Sequence, residues 1–382
     1  MPVNRKYIIL FLMLVLASCI DPFEPLIEER QELTVIDGVI TDQPGIHQVR
    51  VSRSTPYNDP SFLPVQGCVV TVEDEQGNME HYTENWNTPG VYEAWLDEPF
   101  LGVGKSYALH VVGPNGTLYQ SDYDTLLACP PVDSIYYEIN SIYDPGAEKS
   151  YEGLQFYNDV IGENGGCGNF RWKLTESWEY HSPYTSDYIW MHGYLYSLLE
   201  DTVSTCYLTE PISTVYAAST DLLSENRLLK NRLNYVSNQT PRLGIRYSLL
   251  VEQQSLSGQA YRYWNELKAQ SDQSASLYET QPASVLGNIY NYNSNEKVLG
   301  YFYATQMQEK RVFVEVEELD FTVGFYTCVL DTIQDFNSFV PENYYYLFSL
   351  AQLPPGPPWL KGPKRCFDCT QWGGENKKPD FW

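Results

Sequence analysis

The sequence predicts a mainly β protein: an N-terminal antiparallel sandwich of immunoglobulin or prealbumin type, then a larger β-rich domain with one or two short helices. Three observations predict it. Apolar and polar residues alternate along most of the chain at the side-chain period of a strand. Clusters of Gly, Pro, Asn and Asp punctuate these runs at short intervals. Helical periodicity is unambiguous in one segment alone.

The first strand signal is LTVIDGVI at 33–40, and HQVRVSRS at 47–54 alternates with period two. CVVTVEDEQGNMEHYT at 68–83 reads as strand, Gln-Gly-Asn turn, strand. VYEAWL, SYALHVVG and TLYQSDYDTL follow, the last two joined by a Pro-Asn-Gly turn at 114–116. Such strands suit a small antiparallel sandwich over 33–128. Cys129-Pro130-Pro131 ends it, because adjacent prolines force extended chain.

The second domain is placed at 129–352. It opens with VDSIYYEI and continues through LQFYNDVIG, NFRWKLTESWEYHS, RLGIRYSLLVEQQSL, VLGYFYATQM and KRVFVEVEELDF. In the last of these, Val312, Val314 and Val316 should point inward and Glu315, Glu317 and Glu318 outward. SGQAYRYWNELKAQSD at 257–272 departs from the β pattern. Its Ala260, Tyr263, Trp264 and Leu267 recur at i, i+3, i+4, i+7, and Ser257 suits a cap. Residues 220–236 fit either a helix or two short strands. The tail, 353–382, is rich in Cys, Pro and Gly and should pack on the second domain.

Before all of this, Arg5 and Lys6 precede an apolar run from Ile8 to Leu16, and small residues follow. That is a secretion signal, too short to span a membrane. Leu16-Ala17-Ser18-Cys19 resembles the bacterial lipobox, which implies cleavage between Ser18 and Cys19 and acylation of Cys19, with palmitate among the attached chains. Residues 1–18 would be removed, and 19–32, acidic and without period, would form a flexible tether.

Composition limits the functions open to the chain. It carries 49 acidic against 24 basic residues, a net charge of −25, which repels nucleic acid. At 43% hydrophobic residues there is ample material for a core. Of eight cysteines, removing Cys19 leaves Cys68, Cys129, Cys167, Cys206, Cys328, Cys366 and Cys369 as candidate disulfide partners in an oxidising compartment. Their odd number leaves at least one unpaired within the chain.

No nucleophile elbow, zinc-protease helix, phosphate loop or dinucleotide fingerprint is present, so no catalytic residue, metal or cofactor is assigned. His47, His81, His110, His181 and His192 are scattered. Cys366 and Cys369 form C-x-x-C, but prolines precede it and Gly373-Gly374 follows, so structural disulfides pinning the tail are the expected use. The aromatic content is high, with 32 Tyr, 15 Phe and 9 Trp. The stretch 172–196, with Trp172, Trp178, Tyr180, Tyr184, Tyr188 and Trp190, is the candidate binding surface, and Tyr344-Tyr345-Tyr346 is a second. Tyr and Trp suit sugar stacking and protein interfaces.

The lipobox, CPPVDSIYYE at 129–138, YRYWNEL at 261–267 and the tail CFDCT…GGENKKPDFW together resemble the lipoproteins grouped as domain of unknown function 4249. The resemblance covers nearly the whole mature chain. It implies a Bacteroidota-type outer-membrane lipoprotein, surface-exposed and associated with a TonB-dependent receptor or other barrel. It carries no catalytic residues to transfer. The expected function is a non-catalytic binding or accessory subunit with a glycan or peptide ligand. The alternatives are a free-standing glycan-binding lipoprotein and an envelope hydrolase whose site forms only in the fold.

Overall fold

Alternation decides which side chains of the N-terminal strands turn inward. β1 (Thr34–Thr41), β2 (Gly45–Arg53), β3 (Leu63–Pro64), β4 (Val69–Asp74), β5 (Met79–Glu84), β6 (Val91–Leu96), β7 (Ser106–Val112), β8 (Leu118–Ser121) and β9 (Asp124–Thr125) follow the runs read from the sequence, except for the short β3, which lies outside them. Ile36 and Ile40, Val49 and Val51, Val70 and Val72, and Leu109 and Val111 share one core, each pair an even number of residues apart on its strand. The computed structural model describes residues 32–55, 61–186, 188–197, 203–273, 285–325, 327–338, 345–349 and 358–382. Ser18 and Cys19 lie outside the described residues.

Beyond Cys129-Pro130-Pro131 come β10 (Ser134–Asp144), β11 (Lys149–Ile161), β12 (Asn169–His181), β13 (Tyr188–Met191), β14 (Tyr194–Ser197), β15 (Thr205–Ser219), β16 (Arg227–Ser237) and β17 (Arg246–Ser255). The ambiguous 220–236 segment is a turn followed by the single strand β16. The helix α1 (Gly258–Gln273) forms where the apolar period falls. Its cap is also as expected, with the Ala260 N–H donating to Ser257 Oγ at 3.1 Å. Ala260 and Tyr263 are buried, with Trp264 and Leu267 packed against them.

The chain then returns to the first sandwich. β18 (Ile289–Asn291) pairs antiparallel with β8, while β19 (Val298–Leu299) and β20 (Phe302–Thr305) run parallel to β1. The order β18-β8-β7-β4-β5-β6-β2-β1-β19 thus nearly closes the sheet on itself. Ile289, Val298, Phe302 and Ala304 complete the core begun by β1–β8. Gly300, at φ 92°, makes this approach feasible, because a Cβ there would collide with the Ile36 carbonyl. The first sandwich is therefore discontinuous. Three of its strands come from the 129–352 stretch that the sequence assigns to the second domain, since pairing across so long a separation leaves no local turn signal.

β21 (Met307–Glu315) leads back again. The sheets β10-β11-β16 and β15-β12-β17-β21 share the second core. Val314 is buried in it, whereas Val316 begins a 3-10 turn holding Glu317 and Glu318. β22 (Asp331–Thr332), β23 (Tyr345–Ser349) and β24 (Trp359–Lys361) join the β13–β14 hairpin in a third sheet, ordered β14-β13-β23-β24-β22. No helix among the described residues is long and apolar enough to cross a membrane.

Candidate functional site

The aromatic stretch divides at the end of β12. Along that strand the even positions Phe170, Trp172, Leu174, Glu176, Trp178 and Tyr180 all face the second core. Trp172 is 1% exposed, and its indole N–H donates to Gln253 Oε1 at 3.1 Å. The Tyr180 hydroxyl donates to the Cys369 carbonyl at 2.8 Å. Trp172, Trp178 and Tyr180 therefore belong to the core, and of the three Tyr180 also borders the cleft at the end of β12. The alternation that makes β12 a strand also requires their burial.

Tyr184, Tyr188 and Trp190 lie beyond the strand and stay partly exposed. Tyr184 packs on Phe367 (centroids 6.0 Å apart), Tyr188 edge-on to Trp359 (5.1 Å) and Trp190 on Phe336 (5.4 Å). The Ser186 hydroxyl ties this segment to β23 through the Leu347 carbonyl at 2.7 Å. β13 then turns tightly at His192-Gly193, where both residues have positive φ, as a two-residue hairpin demands. The turn delivers Tyr194, Leu195 and Tyr196 to solvent, with Tyr194 69% exposed. β14 is the edge strand of its sheet among the described residues. Tyr344 lies outside the described residues, as do the side chains of Tyr345 and Tyr346.

Disulfides hold this platform. Cys206 pairs with Cys369, and Cys328 with Cys366. The two cysteines of the C-x-x-C thus take different partners and pin the tail at two points. Cys68, Cys129 and Cys167 are unpaired. Cys129 is sealed in the core, and burial pushes its thiol up to about 12, so it stays protonated and inert.

Clefts among the described residues open on the second sandwich, two of them near β11 and β12. One, of about 500 Å³, is lined by polar groups including Lys149, Glu152, Asn238 and Thr322. The other, of about 390 Å³, lies at the end of β12 between Pro183, Pro241, Ile245 and the exposed ring of Phe325. His181 borders it, held by Glu179 at 3.1 Å. Neither lining joins a nucleophile to a base or sets two carboxylates opposite each other. Among the described residues no group of three or more His, Cys, Asp or Glu side chains could hold a metal ion. The buried Glu176 acts structurally: it accepts from the Tyr247 hydroxyl at 3.1 Å and pairs with Arg242 at 3.4 Å. Burial raises its pKa and the Arg242 charge opposes that rise.

The family described as Domain of unknown function (DUF4249) matches residues 20–311, well over half of the chain. The chain belongs to this family. No curated protein matches it. The segments through which this DUF4249 chain resembles its family fall at joints of the fold. CPPVDSIYYE crosses between the sandwiches, where the Gln253 side chain donates to the Pro130 carbonyl at 2.8 Å. YRYWNEL is the stretch of α1 whose Tyr263 and Trp264 pack against Tyr301 and Tyr303, while CFDCT, which holds both tail disulfides, lies beyond the residues that the family model matches. Sequence reasoning placed those segments without seeing what they join. It passed over Phe325, which lies outside any strand or helix and carries no periodic signal.

Proposed function

We propose that this DUF4249 chain is an outer-membrane lipoprotein, acylated on Cys19, that serves as a non-catalytic accessory subunit of a TonB-dependent receptor or other outer-membrane barrel of Bacteroidota. The β13–β14 hairpin is its binding surface. One observation carries the reading: an edge strand bearing exposed Tyr194, Leu195 and Tyr196 stands on a sheet pinned by disulfides. Such an edge offers unpaired backbone groups and flat amphipathic rings on a rigid base, the means by which a sheet takes up a strand of a partner. The disulfides and the leader support an oxidising compartment. The net charge of −25 disfavours nucleic acid as a partner.

The test is copurification from native membranes in mild detergent, comparing the native chain with a Tyr194→Ser/Tyr196→Ser double variant. The barrel should accompany the native chain, and its recovery should fall at least tenfold with the variant. If no barrel accompanies the native chain, the reading fails.

A second reading has its own observation, the cleft where Phe325 stands exposed beside two prolines and His181. An exposed ring beside polar groups suits a sugar face. Retention on a polysaccharide panel, abolished by Phe325→Ala, would favour a free-standing glycan-binding role.

A further inference from the structure

The strand register assigns every first-sandwich loop to one of two ends. At one end β1 begins, with Thr34 opposite Arg53 and Val298, and Leu63 opposite Arg53. Pairing puts Val69 opposite Val112, Val112 opposite Leu118, and the turn after Glu84 beside Gly90 and Val51. Tyr292 follows through its N–H to the Leu118 carbonyl at 2.8 Å. Phe62, Leu63, Val69, Trp86, Leu118 and Tyr292 are all exposed there, Trp86 at 95% and Tyr292 at 70%.

The opposite end meets the second sandwich. Asp42 accepts from Met307 N–H at 3.1 Å and from Gln306 Nε2 at 2.9 Å. The Gln306 side chain in turn accepts from Cys129 N–H at 2.8 Å. Apolar groups are exposed at this end too, among them Ile46 and Trp95, so exposure alone does not choose between the ends. The path of the chain does. Leu33 is bonded to Ser54 at the Trp86 end, away from the second sandwich.

We infer that the Trp86 end of the first sandwich seats in the headgroup–acyl boundary of the phospholipid bilayer that holds the Cys19 lipid. The inference rests on the proposed acylation of Cys19. Thirteen peptide links separate Cys19 from Glu32, a reach of at most about 45 Å. A surface held within that distance meets the bilayer at high effective concentration. Trp and Tyr rings favour the boundary because each has an apolar body and a polar tip. Of the acidic groups at this end, Glu84 already accepts the Gly67 and Gly90 N–H groups at 2.9 and 3.0 Å, while Glu296 accepts from Asn291 Nδ2 at 3.4 Å beside the exposed Lys297, and Glu32 is exposed at the start of the described chain. The charge of −25 opposes anionic lipid, so the surface that fits is zwitterionic. Seated so, the first sandwich is a spacer that carries the β13–β14 hairpin outward.

The test reconstitutes the purified native lipoprotein into phosphatidylcholine vesicles containing phosphatidylcholine brominated at shallow acyl positions. Tryptophan quenching is compared for the native chain, Trp86→Phe and Trp95→Phe. The native chain and Trp95→Phe should be quenched, and Trp86→Phe should lose that quenching. Equal quenching of all three, or loss in Trp95→Phe instead, overturns the seating while leaving the anchor standing. A native chain that fails to float with the vesicles, or whose mass shows an unmodified Cys19, overturns the anchor and the seating with it.

Discussion

Asp124 shows how far one residue's surroundings can set its chemistry. It is buried where β9 meets β20, and its Oδ2 accepts the Ala304 N–H at 2.9 Å. Burial raises its pKa from 3.8 to about 6, against the pull of hydrogen bonds from Ser257, Ala304 and Thr125. The folded chain therefore holds this proton more tightly than the unfolded chain does. The stability it contributes is complete below about pH 4 and is lost as pH rises through about 6, a change of roughly 3 kcal/mol. Asp124→Asn keeps an acceptor for the Ala304 N–H and should flatten the stability profile between pH 4 and 6, measured by urea unfolding. An unchanged slope would refute the assignment. Nothing near Asp124 in sequence foretells this, because Ser257 and Ala304 arrive from distant segments. Trp172 is the contrary case: its neighbours at even positions made its burial legible, and only its aromaticity argued for the surface.

Among the elements, α1 and β12 were legible because periodicity is a local property, whereas the tail was legible only as chemistry. Its cysteines announced disulfides but not partners, since Cys206 reaches Cys369 across 163 residues and spacing carries no distance in space. Closing so long a loop removes much of the unfolded chain's freedom, worth about 5 kcal/mol in the chain-entropy account. A Cys206→Ser/Cys369→Ser variant should lose several kcal/mol of stability and expose the 358–382 segment to protease. The Tyr180 hydroxyl would lose its fixed acceptor at Cys369 as well. Proteolysis unchanged from the native rate would show that the remaining Cys328–Cys366 disulfide and the β22–β24 contacts suffice to hold the tail. The β13–β14 hairpin was half legible: the stretch was marked as aromatic, but the sheet partner that orders it, β23, lies far along the chain.

At the scale of the whole molecule, the fold class followed from patterning, but the chain's return to the first sandwich, across the boundary drawn at the prolines 130 and 131, left no trace in the sequence. That return ties the two parts together. The Arg171 guanidinium on β12 lies 3.4 Å from the ring centroid of Trp264 on α1 and donates to the Tyr303 hydroxyl of β20 at 2.8 Å. Tyr303 passes the contact to Gln254 of β17 at 3.1 Å, and Tyr263 stacks on Tyr301 at 4.6 Å. An aromatic and cationic seam thus runs from the second sandwich through the helix into the first. Neither part can unfold without breaking the seam, which predicts a single thermal transition. Phe302, fully buried against Gly38 and Val49, tests this from one side only. Phe302→Ala should cost about 3–5 kcal/mol through the cavity it leaves and shift the whole transition downward. If calorimetry instead resolves two transitions and the substitution moves just one, the sandwiches unfold independently, and the seam is contact without coupling.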